Sequence, residues 1–209
     1  MRLVLASNNA KKLAELNVLL APAGVELVTQ GSLGIAEADE PHASFVENAL
    51  VKARHAAAAA GGASIADDSG LCVAALGGAP GVVSAHYANV ALPAGEREMQ
   101  RRVQDDANNR LLLERLAGAP DRRAHFISTL IALRAADDPE PLIAVGRWPG
   151  EIVTERRGSG GFGYDPLMFI PALSRTVAEL PGDVKNAHSH RAIAARAMLA
   201  LLRDVWHLG

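Results

Sequence analysis

The opening stretch MRLVLASNNAKKLAELNVLL, residues 1–20, decides the fold class. Residues 2–6 alternate into an apolar strand, Ser7-Asn8-Asn9 supplies a helix cap, and Leu13, Leu16, Leu19 and Leu20 recur at helical spacing. The unit is strand, turn, helix. Beyond it, residues 25–29 read as a second short strand, and Ser44-x-x-Glu47 is a capping box opening a helix that runs to about Ala60 and stops at Gly61-Gly62. Residues 64–66 and 71–75 read as strands on either side of Asp67-Asp68-Ser69-Gly70, and residues 96–116 as a helix. Residues 124–134, 141–146 and 151–154 read as strands. A last helix begins near Ser189 and runs to about Trp206, with Ile193, Ala197, Leu201 and Val205 on one apolar face. Strands and helices mixed in this order predict an α/β fold with at least one antiparallel section in the second half.

Composition narrows the function. The 209 residues are 49% hydrophobic and 21% charged, with mean hydropathy +0.10, which excludes a disordered chain. A formal net charge of -2 provides no bulk basic field for a nucleic-acid backbone, so an anion site must be built locally. Cys72 is the one cysteine, so no intrachain disulfide forms, and the N-terminus has no basic region followed by a cleavable apolar stretch. The longest uncharged stretch, residues 69–85, holds four glycines and Pro80 and is too short to span a membrane. The expected location is the cytoplasm. No proline-rich linker or internal repeat divides the chain, so residues 1–209 read as a single domain.

Three stretches carry unusual chemistry. Lys11 and Lys12 open the first helix, where unpaired N–H groups already make the environment positive. Either they are solvated, or Asn9, Lys12 and the backbone form a site for an external anion. Ser189, His190 and Arg191 repeat the pattern at the last helix, with Lys185 four residues before the cap, and an ordinary surface turn is the alternative. The His188-x-His190 pair lacks a third metal ligand. Asp67-Asp68 follows a strand, so one of the two acids enters a given site, joined by Glu40 and by Lys52, which emerges on the buried-facing stripe Phe45, Ala49, Lys52, Ala56. Asp68 with Glu40 suits Mg²⁺, and a solvated loop is the alternative. Asp105-Asp106 and Asp137-Asp138 have no such company and read as solvated.

Residues 158–166, GSGGFGYDP, lack the Lys-Ser/Thr ending of a P-loop and the spacing of a Rossmann turn. Either this is a tight hairpin with Phe162 in the core, or a flexible backbone that lets a planar ring stack on Phe162, worth about 1 to 3 kcal/mol per base. Aromatics are 4% of the chain, which makes Phe162, Tyr164 and Trp148 more informative than usual.

Taken together, residues 6–12 (ASNNAKK), 45–49 (FVENA), 66–71 (ADDSGL), 77–81 (GGAPG) and 160–166 (GGFGYDP), with Lys185 and Ser189-His190-Arg191, resemble the inosine/xanthosine triphosphate pyrophosphatase family of house-cleaning nucleotidases. The resemblance implies an elongated mixed β-sheet flanked by helices, two lobes enclosing a nucleotide-binding cleft, and a homodimer. It also implies Mg²⁺-dependent hydrolysis of ITP, dITP and XTP to monophosphate and pyrophosphate. Carried over position by position, Ser7, Asn9 and Lys12 hold the triphosphate and Lys52 assists. Glu40 and Asp68 serve the metal, and Asp68 accepts the proton of the attacking water. Ser69 contacts substrate. Phe162, Gly163, Tyr164 and Asp165 form the base pocket, which Lys185, His190 and Arg191 reach. Donors facing a 6-keto oxygen would accept hypoxanthine and xanthine but meet the amino group of adenine. His86 stands where relatives often have arginine, and residues 89–123 match poorly. Two other readings of the same residues are a general metal-dependent phosphatase releasing orthophosphate and a nucleotide-binding regulatory module without turnover.

Overall fold

The computed structural model describes residues 1–208. Along the chain the main elements are β1 (Arg2–Leu5), α1 (Ala10–Leu20), β2 (Glu26–Thr29), α2 (Phe45–Ala60), β3 (Ser64–Val73) and α3 (Arg97–Arg115). They continue with β4 (Arg123–Leu133), β5 (Leu142–Ile152), β6 (Met168–Ile170), β7 (Arg175–Thr176), α4 (Gly182–His188) and α5 (His190–Asp204). Among the described residues the strands form one seven-stranded sheet in the order β2-β1-β3-β4-β5-β6-β7. It is mixed, as expected. β1 runs parallel to β2 and β3, whereas β5, β6 and β7 pair antiparallel. No helix is long and apolar enough to cross a membrane among the described residues.

The chain divides into two compact units. Unit one holds Met1–Ser69, Ile127–Arg147 and the chain from Asn186 onward, and unit two holds Gly70–Phe126 and Trp148–Lys185. Each has its own core. In unit one the period-two alternation of β1 sends Leu3 and Leu5 to one face, against Leu16 and Leu20 of α1 and Met198 and Leu202 of α5. Val4 and Ala6 face the other way, onto Ala49, Ala53 and Ala56 of α2. A parallel strand buried on both faces is therefore apolar throughout. Alanine at the α2 contact lets that helix lie close to the sheet, which brings Lys52, one helical turn from both Ala49 and Ala56, in over the edge of the core. In unit two, Leu112 of α3 and Leu116 just after it pack with Val73, Phe126, Trp148, Ile152, Tyr164 and Met168.

Helix starts follow the local signals. Asn9 Oδ1 accepts from the Lys11 and Lys12 N–H groups, Ser44 from Glu47 N–H, and Ser189 from Ala192 N–H. Two strand expectations are corrected. Asp67-Asp68-Ser69-Gly70 is not a turn, because β3 stays extended through it and the acids meet cations inside the protein. Trp148-Pro149-Gly150 does not divide β5 either. At Gly150 a Cβ would collide with the Phe169 carbonyl on the paired strand, so glycine keeps that pairing close. Gly146 does the same for α5, since a Cβ there would strike the His190 carbonyl and the Ala194 nitrogen.

The inward face of α3 departs most from expectation. Gln104, Asn108 and Asn109 are buried there, and their amides hold backbone: Gln104 Nε2 donates to the Ala88 carbonyl, and Asn108 Nδ2 to those of Ser84 and Ala85. Asp105 is half-buried rather than solvated. Asp138 is buried as well, accepting from the Arg134 and Glu140 N–H groups at a turn.

Candidate active site

In unit one, β3 delivers Asp67 and Asp68 side by side, and because successive side chains of a strand oppose one another, each acid gathers different partners. Asp67 is 1% exposed. Arg191 reaches its Oδ2 through Nε at 3.2 Å and Nη2 at 3.0 Å, Lys12 Nζ lies 3.0 Å from the same oxygen, and Ser128 Oγ donates to Oδ1 at 2.7 Å. Burial alone would raise the Asp67 pKa, but Arg191 and Lys12 outweigh it and hold this carboxyl well below the usual carboxylate range. Arg191 also bridges to Glu15 at 2.5 Å and donates to Ser69 Oγ at 3.0 Å. The guanidinium is therefore gripped by α1 and β3, and its own burial is outweighed by these acids, which raise its pKa.

Asp68 faces a second cation. Lys52 Nζ lies 2.8 Å from Asp68 Oδ1 and 2.8 Å from Glu40 Oε2. Burial opposes the Lys52 charge, yet Asp68 and Glu40 outweigh it and the ammonium pKa rises. Glu40 is lowered, because Lys52 overcomes its partial burial. Asp68 is pushed up to about 6 by burial, with Lys52 opposing and Glu40 adding to the rise. Among the described residues, Asp68 Oδ2 is buried with no hydrogen-bond partner. Lys12 moves the other way, its pKa lowered by burial despite Asp67, with Arg191 and Lys52 repelling its charge.

This arrangement bears on a metal. Among the described residues no group of three or more His, Cys, Asp or Glu side chains is assembled as a metal site. Two carboxylates sharing one lysine, one with an unpartnered buried oxygen, suit a hard cation that takes its other ligands from phosphate oxygens and water, the usual way Mg²⁺ is held. His188 is exposed while His190 is buried at the first turn of α5, so these two do not converge. Nearby, Ser7 Oγ accepts from the Asn9 N–H, ordering the turn into α1. Asn8 donates to Glu37, and Gly31 leaves room for the Asn8 amide.

Unit two carries the glycine-rich loop. Phe162 is half-buried, and the Lys185 ammonium stands 4.6 Å from its ring centroid while reaching Asp165 Oδ2 at 2.8 Å. Asp165 Oδ2 also accepts from the Phe162 N–H at 3.0 Å. At Gly161 the backbone is left-handed, with φ +73, and a Cβ would strike the Asp165 carboxylate, so glycine is required there. Tyr164 is a core residue, its hydroxyl donating to the Ser84 carbonyl at 2.9 Å, and burial raises its pKa.

Gly163 is held by α3, which the sequence reading passed over. Its N–H donates to Asp105 Oδ2 at 2.8 Å, and its carbonyl accepts from Asn109 Nδ2 at 2.9 Å. Asn109 Nδ2 donates to the Asp105 carbonyl too, at 2.7 Å, and Asn109 Oδ1 has no partner among the described residues. An unsatisfied buried acceptor costs about 1–3 kcal/mol.

Sequence reasoning therefore found Lys12, Lys52, Glu40, Asp68, Ser69 and Arg191, which the fold gathers in unit one, and Phe162, Asp165 and Lys185, which it gathers in unit two. It missed Asp67 as the hub of the unit-one cage, with Glu15 and Ser128, and it missed Asp105 and Asn109. The available signal for Asp67 was the surplus of basic groups at two helix starts, which requires a buried acid between them. The available signal on α3 was Gln104, with Asn108 and Asn109 four and five positions further on, three uncharged amides on a helix otherwise rich in charge.

Residues 3–201 match the model described as the Ham1 family. Over 206 residues the chain is 72% identical to a protein of Methylibium petroleiphilum named dITP/XTP pyrophosphatase, covering 99% of each sequence. A protein of the same name from Leptothrix cholodnii is 68% identical, with 100% of each covered. Among solved structures, a HAM1 protein from Coxiella burnetii superposes with TM-score 0.86 at 40% identity, over 98% of this chain and 100% of that one. The Staphylococcus aureus Ham1 protein gives TM-score 0.81 at 34% identity, over 97% and 98%.

Proposed function

Because the chain belongs to the Ham1 family, we propose that it hydrolyses non-standard purine nucleoside triphosphates, ITP, dITP and XTP, to the monophosphate and pyrophosphate. It is a hydrolase of the phosphoanhydride bond. Its task is removal of these nucleotides from the pool, in the cytoplasm and as a homodimer. The observation that carries the reading at the level of chemistry is the Asp68 carboxyl, buried with an unpartnered Oδ2, sharing Lys52 with Glu40 while Lys12 pairs with the neighbouring Asp67.

Lys12 takes the triphosphate, with Ser7 and Asn9 ordering the turn into α1 and Lys52 assisting. Burial lowers the Lys12 pKa, and Arg191 and Lys52 repel its charge, so an arriving phosphate adds to the counter-charge that Asp67 supplies. Glu40 and Asp68 would hold Mg²⁺, which would supply positive charge to a site otherwise rich in acids. Asp68 accepts the proton of a water whose oxygen forms the new bond to phosphorus, while the α–β anhydride bond breaks and its electron pair leaves with pyrophosphate. In the metal-free protein burial makes Asp68 the more basic of the two neighbouring aspartates. Ser69 contacts substrate from the end of the acid pair. Phe162 stacks on the purine, Gly163, Tyr164 and Asp165 shape the pocket around it, and Lys185 reads its edge, whereas the Arg191 guanidinium is taken up by Asp67, Glu15 and Ser69.

The test is hydrolysis of ITP, dITP, XTP, GTP and ATP with Mg²⁺ and with chelator, scoring pyrophosphate and orthophosphate separately. Pyrophosphate from the inosine and xanthosine nucleotides, and only with metal, is the expected result. Orthophosphate from all five would overturn it in favour of a general phosphatase.

A further inference from the structure

We propose that Asp105 and Asn109, one turn apart on α3, are positioning residues that set base selectivity by bracketing Gly163. The assignment rests on the reading that residues 160–165 hold the purine. Both polar groups of one residue are taken by this pair: the N–H by Asp105 Oδ2 at 2.8 Å and the carbonyl by Asn109 Nδ2 at 2.9 Å. Gly163 has φ +61, so its peptides are turned as a side-chain-bearing residue rarely turns them, and the bracket holds them there.

The consequence falls on its neighbours. Phe162 precedes Gly163 and Asp165 follows two residues later, so the orientation of these peptides sets where the ring and the carboxylate stand. Tyr164 is anchored separately through Ser84, and Asp165 through Lys185. Gly163 is the point of the loop whose backbone is tied to α3. Asn109 has the form expected of a positioning group. It is 0% exposed, uses Nδ2 on two carbonyls, and keeps an amide although its own Oδ1 goes unmatched among the described residues. A side chain serving only to fill space there would be apolar.

Four variants test the assignment: Asp105→Ala, Asp105→Asn, Asn109→Leu and, as a control on the base reading, Phe162→Ala. Each is measured for melting temperature, for IMP affinity by calorimetry, for kcat and KM on ITP and GTP, and for hydrogen exchange of residues 158–166. Asp105→Ala and Asn109→Leu should raise the IMP Kd and the ITP KM about 10-fold with kcat within about twofold, and narrow the preference for ITP over GTP by a similar factor. Exchange of the loop amides should rise about 10-fold while the rest of the protein keeps its protection. Asp105→Asn, which retains an acceptor for the Gly163 N–H, should restore most of each effect. Unchanged loop exchange in Asp105→Ala and Asn109→Leu would overturn the bracket whatever the enzyme hydrolyses. So would unchanged Kd and selectivity in those two variants while Phe162→Ala weakens IMP. If Phe162→Ala leaves IMP affinity untouched, the base reading itself fails, and selectivity through Gly163 fails with it.

Discussion

The two candidate regions are built from opposite materials. Unit one gathers ionised side chains, with Lys12, Lys52 and Arg191 facing Glu15, Glu40, Asp67 and Asp68 through contacts of 2.5 to 3.2 Å. The unit-two loop is held through its Gly163 backbone, by a carboxylate and an amide of α3, and through its own Tyr164 hydroxyl, which donates to the Ser84 carbonyl. A cage of charges is strong in a low-dielectric interior but sensitive to protons and to any change in its balance. A backbone held by short hydrogen bonds resists both and discriminates by shape. The first suits a reacting, highly charged group and the second a flat, neutral one.

The largest expected effect tests the unit-one side. Asp68→Asn should lower kcat for pyrophosphate release by about 10²–10⁴, the usual range for loss of a general base. The metal-free variant should also be the more stable protein near neutral pH. The folded pKa of Asp68, about 6, lies above its ordinary 3.8, so the charged carboxylate works against the fold increasingly as pH rises between those values. A variant melting below the wild type at pH 7.5 in chelator would show that the Lys52 pairing outweighs that penalty.

Next comes Asp67→Ala, which leaves Arg191 and Lys12 buried without their shared acid and should destabilise the protein by about 3–5 kcal/mol, read by urea unfolding. The pH dependence has the opposite sign from that of Asp68. The folded Asp67 pKa lies below its unfolded value, so its contribution is complete above about pH 4 and is lost as pH falls further. Wild type and Asp67→Ala should therefore converge in stability on acidification, and a gap that stayed constant from pH 6 to pH 3 would remove Asp67 from the hub of the cage.

In unit two the expected changes are smaller. Lys185→Met removes both the cation over Phe162 and the partner of Asp165, and should raise the KM for ITP about 10-fold with little change in kcat. Tyr164→Phe removes one buried hydrogen bond, from the tyrosine hydroxyl to Ser84, and should cost about 1 kcal/mol of stability without altering the pH dependence of activity. A Tyr164→Phe variant whose pH–rate profile shifted would blur the contrast between the regions.

Much of this molecule was legible beforehand because it is local. The caps at Asn9, Ser44 and Ser189, the alanine stripe of α2 and the leucine spacing of α1 act within one or two turns, so spacing alone exposes them. Charged groups placed against convention were legible too, since Lys12 and Arg191 at helix starts call for an anion. The misreadings share one cause. Asp67-Asp68-Ser69-Gly70 looks like a solvated turn only while Arg191, 124 positions further on, is left out of account. Asp105 looks solvated until the loop that its carboxylate holds at Gly163 is placed beside it.

By itself, then, the amino-acid sequence determined the elements, the α/β class and most of the chemically active side chains, because propensity, capping and periodicity are short-range. Only the tertiary structure decided what those side chains do to one another. Whether a carboxylate becomes a buried counter-ion, as Asp67 does, or a partly unmatched acid with a raised pKa, as Asp68 does, depends on which cations approach from distant parts of the chain and on how much water they exclude.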